Sequence, residues 1–334
     1  MSSHMVEHLE FFLCPLCKGG LETTSNSVRC INCGKEYDVD NGIPLLFVAN
    51  EQDQSRKDVT DEVKSFYEET PFPNYEDFED IDDLIQKARK GVFAYLLSEQ
   101  IPLDAKVLEV GCGTGQLSNF LGGSHRNVFG ADMCLNSLRL ANNFKNKNNL
   151  SKVGFYQMNL FKPIFKEESI DIVISIGVLH HTADPFGGFQ SIAKLVKKGG
   201  YIIIGLYNKY GRVTTNIRRL IFNMTGDRFK FLDPRLRGDK VGDLRKLTWF
   251  KDQYKNPHES QHSMGEVLRW FEETGFDFVN SIPKPRVDEP FTRNERLFKS
   301  RPKGNLLECL LVQLKLIYTS NAEGGFYIMI GRKR

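Results

Sequence analysis

Short apolar runs alternate with helical apolar spacing over the middle third of this chain. Between about residues 106 and 205, mostly apolar runs are separated by stretches with apolar side chains three or four positions apart. Such runs predict buried strands and such stretches predict amphipathic helices. The alternation therefore predicts an α/β fold, a doubly wound parallel sheet with helices on both faces. The predicted strands are residues 107–110, 128–131, 154–158, 170–176 and 201–205, and the helices between them are 115–121, a segment ending at 141, and 185–196.

The same alternation returns near the end of the sequence. A helix is predicted over 263–273, followed by strands at 276–280 and 326–331, which would complete a Rossmann-like sheet of seven strands. The apolar stretch over 304–318 includes charged side chains and is too short to span a bilayer, so no membrane span is predicted. We expect an amphipathic helix there, packed inside the chain or against a second subunit of a homodimer.

The first hundred residues have a different pattern. Residues 9–49 combine turn residues with short apolar strands, which predicts a compact β-rich module. The polar stretch 50–58 is predicted to be a linker, and helices are predicted over 59–69 and 81–98. Two prolines are expected to keep the intervening residues 70–75 extended.

Four of the seven cysteines form two Cys-x-x-Cys pairs separated by twelve residues. This spacing places four thiolates around one tetrahedral Zn²⁺, and four cysteine ligands leave no open position for catalysis. We therefore expect a structural zinc, which a module of about forty residues needs for stability. The alternative is four free or oxidised cysteines. The predicted metal ligands are Cys14, Cys17, Cys30 and Cys33.

The residues around these cysteines resemble the short zinc-ribbon proteins that act as methyltransferase activator subunits. The resemblance covers Cys14-Pro-Leu-Cys-Lys-Gly-Gly-Leu21 and extends from Cys30 to the segment Gly42-Ile-Pro-Leu-Leu46. In that family the ribbon packs against a methyltransferase, either as a separate subunit or fused to it. The resemblance implies scaffolding or substrate presentation by the module rather than chemistry.

A glycine-rich turn follows the first strand of the large domain and opens a helix. It reads Glu109-Val-Gly-Cys-Gly-Thr-Gly115, and Asp132 ends the next strand, 21 residues after Gly111. The glycines allow close approach of a nucleoside cofactor, and the carboxylate accepts hydrogen bonds from ribose hydroxyls. The turn, preceded by Glu109, resembles the S-adenosylmethionine motif of class I methyltransferases. A dinucleotide dehydrogenase, the alternative, would show Gly-x-Gly-x-x-Gly.

More of that family's pattern follows, over about residues 100–205. Asn159 and Leu160 occupy the position that contacts the adenine ring in the family, and Ser175-Ile-Gly-Val-Leu-His-His181 follows the fourth strand. In this family the residues that precede the sheet often form a lid over the cofactor, so Tyr67 is expected to contact the methionine end of the cofactor. The alternative is that Tyr67 packs in a core between two helices. The resemblance implies cofactor contacts from Tyr67, Glu109, Gly111, Cys112, Gly113, Gly115, Asp132, Met133, Asn159, Leu160, Ser175 and Ile176.

Histidines near the sheet edge are the candidates for acid–base chemistry. Methyl transfer from a sulfonium needs alignment of the reacting atoms, and a hydroxyl acceptor also needs a base. His181 follows the fourth strand, where ligands bind in such folds, while His258 and His262 precede the helix at 263. These three are the candidate catalytic residues. The alternatives are that the histidine pair at 180–181 only shapes the pocket and that 252–262 is a surface loop.

A strongly basic insertion follows the fifth strand. Residues 207–256 contain thirteen Lys or Arg against five Asp and no Glu. This region builds the roof over the substrate in class I methyltransferases. The cations favour an anionic acceptor, such as a carboxylate, phosphate or nucleotide-linked sugar, or an RNA backbone; a solvated helix face is the alternative. Candidate substrate contacts are His180, Tyr207, Arg212, Arg218, Arg219 and Tyr254.

The sequence thus predicts a methyltransferase domain fused to a zinc ribbon. Apolar residues at 40 %, charged residues at 26 % and a net charge of +3 fit a globular protein, and scattered remaining cysteines fit a reducing cytoplasm. The expected parts are the ribbon at 1–50, linker and lid helices at 51–100, the S-adenosylmethionine-binding core at 101–206, the basic insertion at 207–265, and the rest of the methyltransferase domain at 266–334.

The acceptor is open at this point. The favoured function is O-methylation of a small anionic metabolite, in a glycan or secondary-metabolite pathway. The first alternative is an rRNA or tRNA methyltransferase, since a family of ribosomal-RNA guanine methyltransferases also carries an N-terminal cysteine module. This chain departs from that family in its long basic insertion and in the Gly42–Leu46 end of its ribbon. The second alternative is a non-catalytic binding subunit.

Overall fold

The computed structural model describes most of the chain. The described residues are 3–24, 26–51, 58–71, 75, 78–237, 243–287, 289–319 and 325–334. The predicted linker at 50–58 and the predicted extended stretch at 70–75 lie largely outside these ranges.

The N-terminal module is a four-stranded antiparallel sheet preceded by a short helix, which confirms the predicted β-rich module. Asn41 and Gly42 turn the last hairpin with φ of 49° and 86°. Left-handed backbone at both positions matches the twist of the flanking strands, and Asn and Gly adopt it most readily. The elements are α1 (Ser3–Glu7), β1 (Leu21–Thr23), β2 (Ser27–Cys30), β3 (Glu36–Asp40) and β4 (Ile43–Pro44).

Three helices connect the module to the large sheet: α2 (Thr60–Glu69), α3 (Ile81–Ala88) and α4 (Val92–Gln100). The prediction of one helix over 81–98 was wrong. The chain leaves the helical conformation at Gly91, which has φ −75° and ψ 128°, and glycine has a low helix propensity. The Asp80 carboxylate caps the start of α3 by accepting from the Asp83 N–H.

A seven-stranded sheet forms the centre of the large domain and confirms the predicted Rossmann-like fold. The strand order is β10-β11-β9-β8-β5-β6-β7, and β11 runs antiparallel to both of its neighbours. The elements are β5 (Lys106–Val110), α5 (Gln116–Gly123), β6 (Asn127–Asp132), α6 (Leu135–Lys147), β7 (Val153–Gln157), β8 (Ile170–Ile176), α7 (Pro185–Ala193), β9 (Val196–Tyr207), α8 (Val213–Thr225), α9 (Asp243–Tyr254), α10 (Met264–Glu273), β10 (Phe276–Ile282), α11 (Leu306–Thr319) and β11 (Phe326–Lys333).

Successive residues of the central strands enter two separate cores. Leu108 points into a core shared with α7 and α10, whereas Val107 points into a core shared with α4, α5 and α6. This is the alternation of side chains in a strand covered on both faces. Some boundaries differ from prediction. Helix α7 ends at Ala193 rather than at 196 and β9 begins at Val196 rather than at 201, because the Leu195 carbonyl already accepts from the Ile170 N–H at 3.0 Å.

Helices α8 and α9 form the basic insertion, and α11 packs beside α8. Cys309, Val312 and Leu316 of α11 are buried while its other side is exposed. Within the described ranges, every helix falls short of the length and hydropathy needed to cross a bilayer.

The N-terminal module takes the place of a crossover helix. The connection between β7 and β8, residues 158–169, is described throughout and contains no helix. The module covers that part of the sheet instead, and Phe12 packs against Tyr156, Phe165 and Phe129 with ring centroids 4.8, 5.0 and 6.0 Å away. These side chains belong to one continuous core, so the module is a layer of the large domain.

Polar contacts hold the module in the same position. The Leu13 N–H donates to the Ile164 carbonyl at 2.6 Å, and the Arg139 guanidinium donates to the Asp40 carboxylate at 2.7 Å. Leu45, just after β4, forms a parallel bridge with Gln157 at the end of β7. Residues near the start and near the end of the module therefore both contact the large domain.

We expect Phe12→Ala to lower the free energy of unfolding by about 3–5 kcal/mol, because it leaves a cavity in a shared core. Urea denaturation followed by circular dichroism measures this. The matched control is Phe231→Ala, since Phe231 is 56 % exposed and should lose less than about 1 kcal/mol. Equal, small losses for both variants would contradict a shared core.

Candidate functional site

A cavity of about 930 Å³ lies at the carboxyl ends of β5, β6 and β8. Its wall includes ten of the twelve residues predicted to contact a cofactor, while Gly115 and Ser175 lie outside the wall formed by the described residues. The ten are Tyr67, Glu109, Gly111, Cys112, Gly113, Asp132, Met133, Asn159, Leu160 and Ile176.

The glycine turn and Asp132 form one hydrogen-bonded unit. Gly111 and Gly113 have φ of 73° and 52°, and a Cβ at Gly111 would collide with Val178. The N–H groups of Gly113 and Cys134 donate to the two carboxylate oxygens of Asp132, each at 2.8 Å. Burial raises the pKa of Asp132, while these N–H donors favour the ionised form. The turn therefore fixes the carboxylate at the end of β6.

Glu109 supplies a second carboxyl group to the cavity wall. The Ser118 hydroxyl donates to its Oε2 at 2.5 Å. Burial raises the pKa of Glu109 to about 8, so the carboxyl group is mostly neutral at pH 7. A bound cation nearby would favour its ionised form.

Asn159 connects the cavity wall to the N-terminal module. Its side-chain N–H groups donate to the Val48 carbonyl at 2.8 Å and to the Asn50 side-chain oxygen at 2.7 Å. Its own oxygen accepts from the Phe161 N–H at 3.0 Å. The amide is thus engaged by the end of the module, and its predicted adenine contact stays a prediction.

A polar cluster from α2, α9 and the end of β9 forms another part of the cavity wall. The Tyr67 hydroxyl donates to Asp252 Oδ1 at 2.8 Å and accepts from Asn256 Nδ2 at 2.8 Å. The Gln253 amide donates to the Tyr207 hydroxyl at 2.6 Å and to Asp252 Oδ2 at 2.8 Å. Asp252 and Gln253 were missed individually by the sequence analysis, although the polar run 252–262 was its signal.

His181 lies in the cavity wall near Tyr67, with ring centroids 6.1 Å apart. Its Nδ1 is 2.7 Å from the His258 carbonyl oxygen. A carbonyl can only accept, so Nδ1 carries the proton and Nε2 keeps its lone pair. Burial lowers the pKa of His181, so the ring is neutral at pH 7.

The other predicted histidines lie outside the cavity wall. His258 contributes its carbonyl to His181, as described above. His262 lies just before α10, and its Nε2 is 2.8 Å from the Ser260 hydroxyl. Its ring packs on that of Trp270, inside α10. His180 is fully buried, and neither ring nitrogen has a partner among the described residues.

The cations predicted to contact a substrate are engaged inside the chain. The Arg212 guanidinium is fully buried, stacks on Tyr207 at 3.6 Å, and donates through Nε to Glu259 at 2.9 Å. Arg219 donates to the same carboxylate at 2.8 Å. Burial would raise the pKa of Glu259, but hydrogen bonds and charges from both arginines outweigh it and hold that pKa at about 2. The pair therefore supports the cavity wall through Tyr207.

The remaining predicted substrate contacts behave similarly. The Tyr254 hydroxyl donates to the buried Asp233 carboxylate at 2.9 Å, and Arg218 hydrogen-bonds Tyr254. Arg235, which the sequence analysis did not single out, lines the cavity with its guanidinium 4.1 Å from the centre of the Trp249 ring.

Comparison with known proteins identifies the domain. Residues 108–204 match the family described as "Methyltransferase domain". This chain carries a class I S-adenosylmethionine-dependent methyltransferase domain. The PKMT2 structure from Rickettsia typhi shares the fold with a TM-score of 0.51 and 13 % identity, covering 75 % of this chain and 53 % of PKMT2.

Curated relatives match only part of their length. A ubiquinone biosynthesis O-methyltransferase from Glaesserella parasuis is 32 % identical over 110 residues, which are 31 % of this chain and 46 % of that protein. An uncharacterized protein from Synechococcus sp. is 24 % identical over 207 residues, 54 % of this chain and 49 % of that protein. The chain thus spans about half the length of the curated relatives it matches.

The four cysteines of the module converge beside the methyltransferase domain. Their Sγ atoms all lie within 4.8 Å of one another. Four ligands at the usual Zn–S length would lie about 3.8 Å apart, and the Cys14–Cys33 and Cys17–Cys30 sulfurs lie 3.8 and 3.4 Å apart. The N–H groups of Gly19 and Cys33 point at sulfurs of the cluster at 3.4 Å. The donor set fits one tetrahedral metal ion.

Proposed function

We propose that this chain transfers a methyl group from S-adenosylmethionine to a hydroxyl oxygen of a small molecule. The observation that carries the proposal is the position of Asp132 and His181 in the wall of one cavity. Cavities of this size suit small-molecule ligands. The curated relatives named O-methyltransferases support oxygen as the acceptor atom.

The glycine turn and Asp132 would hold the nucleoside. The Asp132 carboxylate has lone pairs beyond the two used by backbone N–H groups, and these can accept from both ribose hydroxyls. Tyr67 and Asp252 line the same cavity, and this polar part of the wall would receive the methionine part and the acceptor. Glu109 would become ionised beside the positive charge of the cofactor.

S-adenosylmethionine supplies, when bound, an electrophilic methyl group on a positively charged sulfur. In the proposed transfer the acceptor oxygen would bond to the methyl carbon as the carbon–sulfur bond breaks, and the electron pair of that bond would stay on sulfur. Nε2 of His181 takes the hydroxyl proton, and the His258 carbonyl keeps the ring in the tautomer needed for this step. His258 would thus contribute through its backbone, whereas the His262 ring contacts the Ser260 hydroxyl.

An acidic group on the acceptor would lie near Arg235. This guanidinium lines the cavity, and arginine binds carboxylates and phosphates with paired hydrogen bonds. Arg212 and Arg219 share the buried Glu259 carboxylate, so both are engaged inside the chain, and the cation count of the insertion gives weak support for RNA. A small anionic acceptor is therefore preferred over a nucleic acid.

Asp132→Ala should weaken S-adenosylmethionine binding by about 10- to 100-fold. The variant loses the hydrogen bonds from the ribose hydroxyls to the carboxylate, and hydrogen bonds to a charged group contribute about 1.5–3 kcal/mol. Isothermal titration calorimetry on the full chain measures the affinity. Asp277→Ala is the matched control, since the Asp277 side chain is 71 % exposed, and its affinity should equal that of the wild type. Unchanged affinity in Asp132→Ala would exclude the proposed ribose site.

His181→Gln should reduce the rate of methyl transfer by about 100-fold or more, because the base is lost, with cofactor affinity unchanged. Transfer of tritiated methyl groups to a panel of catechols and hydroxy acids measures the rate. Since burial lowers the pKa of His181, the wild-type rate should fall only below about pH 6.5, the ordinary histidine value.

Exposed His125 provides the control for that experiment, and His125→Gln should keep the wild-type rate and pH profile. A parallel reaction with unstructured RNA distinguishes the two acceptor classes. Methyl transfer to RNA alone, lost at high salt, would contradict the small-molecule proposal.

We also propose that the four cysteines hold a structural Zn²⁺. The purified chain should then contain one zinc ion per molecule by atomic emission, and Cys14→Ser should lose it and unfold at a lower urea concentration, because metal binding contributes directly to folding. Cys309 is a buried cysteine of α11, outside the four-cysteine cluster, so Cys309→Ser should keep the zinc. Equal zinc contents in the two variants would contradict the assignment.

A further inference from the structure

Helix α8 presents an apolar stripe to solvent. Val213, Ile217, Leu220 and Met224 are exposed, with Met224 at 78 %. Their spacing of four, three and four residues places them on one side of the helix. The opposite side is buried, with Phe222 in a small core with α9. The exposed stripe is therefore additional to the packing of α8 on the domain.

Helix α11 presents a second apolar stripe beside the first. Leu307, Leu311, Leu314 and Tyr318 are exposed, with Tyr318 at 81 %. The Thr214 hydroxyl donates to the Ile317 carbonyl at 3.5 Å, which joins the start of α8 to the end of α11. Exposed apolar patches of this extent are uncommon on proteins without a partner and usually mark an interaction surface.

Two exposed aromatic side chains extend this surface beyond α8. Phe229 and Phe231 are 41 % and 56 % exposed, with ring centroids 5.8 Å apart. Arg228, Lys230 and Arg237 are exposed among them. The segment thus alternates aromatic and basic side chains at the surface.

The acidic residues of the same segment are already engaged. Asp227 pairs with Lys255 at 2.9 Å. Asp233 is buried and accepts from the Trp249 indole N–H and the Tyr254 hydroxyl. Among the described residues of this segment, the exposed charges around the aromatic pair are therefore positive.

We propose that the surface formed by the α8 stripe, the α11 stripe and the Phe229–Phe231 pair docks onto an anionic lipid bilayer. Amphipathic helices with basic flanks lie in the headgroup region, with apolar side chains in the acyl boundary and cations on anionic headgroups. In a two-fold homodimer the same cations would approach each other across the interface. The charge therefore favours a bilayer over a second copy.

The docking surface adjoins the cavity of the methyltransferase domain. Arg235 lines the cavity and belongs to the short helix Pro234–Leu236, which begins three residues after the exposed Phe231. The Arg237 guanidinium donates to the Phe231 carbonyl and ties the two parts of this segment together. Docking would therefore bring the Arg235 side of the cavity close to the headgroups.

Vesicle co-sedimentation of the full chain tests the proposal. Wild-type protein should bind vesicles of phosphatidylcholine with phosphatidylglycerol, and bind vesicles of phosphatidylcholine alone much more weakly. The double variant Leu220→Glu, Met224→Glu should bind the anionic vesicles about tenfold more weakly, because acidic side chains replace apolar ones in the acyl boundary. Leu103→Glu is the matched control, since Leu103 and Leu220 are 62 % and 61 % exposed.

Two further measurements separate the outcomes. Vesicle binding is measured without cofactor, so it stands or falls independently of methyl transfer, and unchanged S-adenosylmethionine affinity of the double variant excludes misfolding. Light scattering after gel filtration gives the oligomeric state. Absent or charge-independent vesicle binding, equal binding by the double variant, or a dimer that the double variant dissociates would each overturn the proposal.

Discussion

The site depends on the packing of Phe12 against the face of β6 and β7. Strand β6 carries Asp132 at its end, and its Phe129 side chain is buried by the N-terminal module rather than by a helix of the methyltransferase domain. An uncovered sheet face would expose its apolar side chains to water, so the module completes the sheet that positions Asp132. Asn159 then links the module to the cavity wall through Val48 and Asn50.

The Glu259 carboxylate organises the part of the cavity wall around Tyr207. Glu259 is buried with two guanidinium groups, and Arg212 stacks on the Tyr207 ring that lines the cavity. A buried cation without a partner would be costly and would repel a positively charged sulfonium nearby. Pairing with Glu259 gives the buried Arg212 its partner and reduces the net positive charge there, and Asp252 places a further carboxylate in the cavity wall.

The features predicted correctly from the sequence are those encoded by residues close together in the chain. The glycine turn, Asp132 and the Cys-x-x-Cys pairs are each contained within a few residues, so they indicated a metal cluster and, through a family resemblance, a cofactor cavity. The alternation of apolar runs with helical spacing indicated the fold. The bond between Tyr67 and Asp252 joins positions 185 residues apart, and no local pattern encodes it. The charge count over residues 207–256 suggested cations free to bind a substrate. Two of these arginines instead pair with Glu259, which lies just after the residues that were counted.

A module that substitutes for a crossover helix also changes the order of events during synthesis. The Cys14–Cys33 segment leaves the ribosome first, but Phe129, Tyr156 and Phe165 follow more than a hundred residues later. At about 5–20 residues per second, the nascent module waits roughly 5–30 seconds for the surface that covers Phe12. If the four cysteines hold zinc as proposed, metal ligation would be the main stabilising interaction open to so small a core during that interval. Zinc supply at the ribosome would then influence the yield of the whole domain.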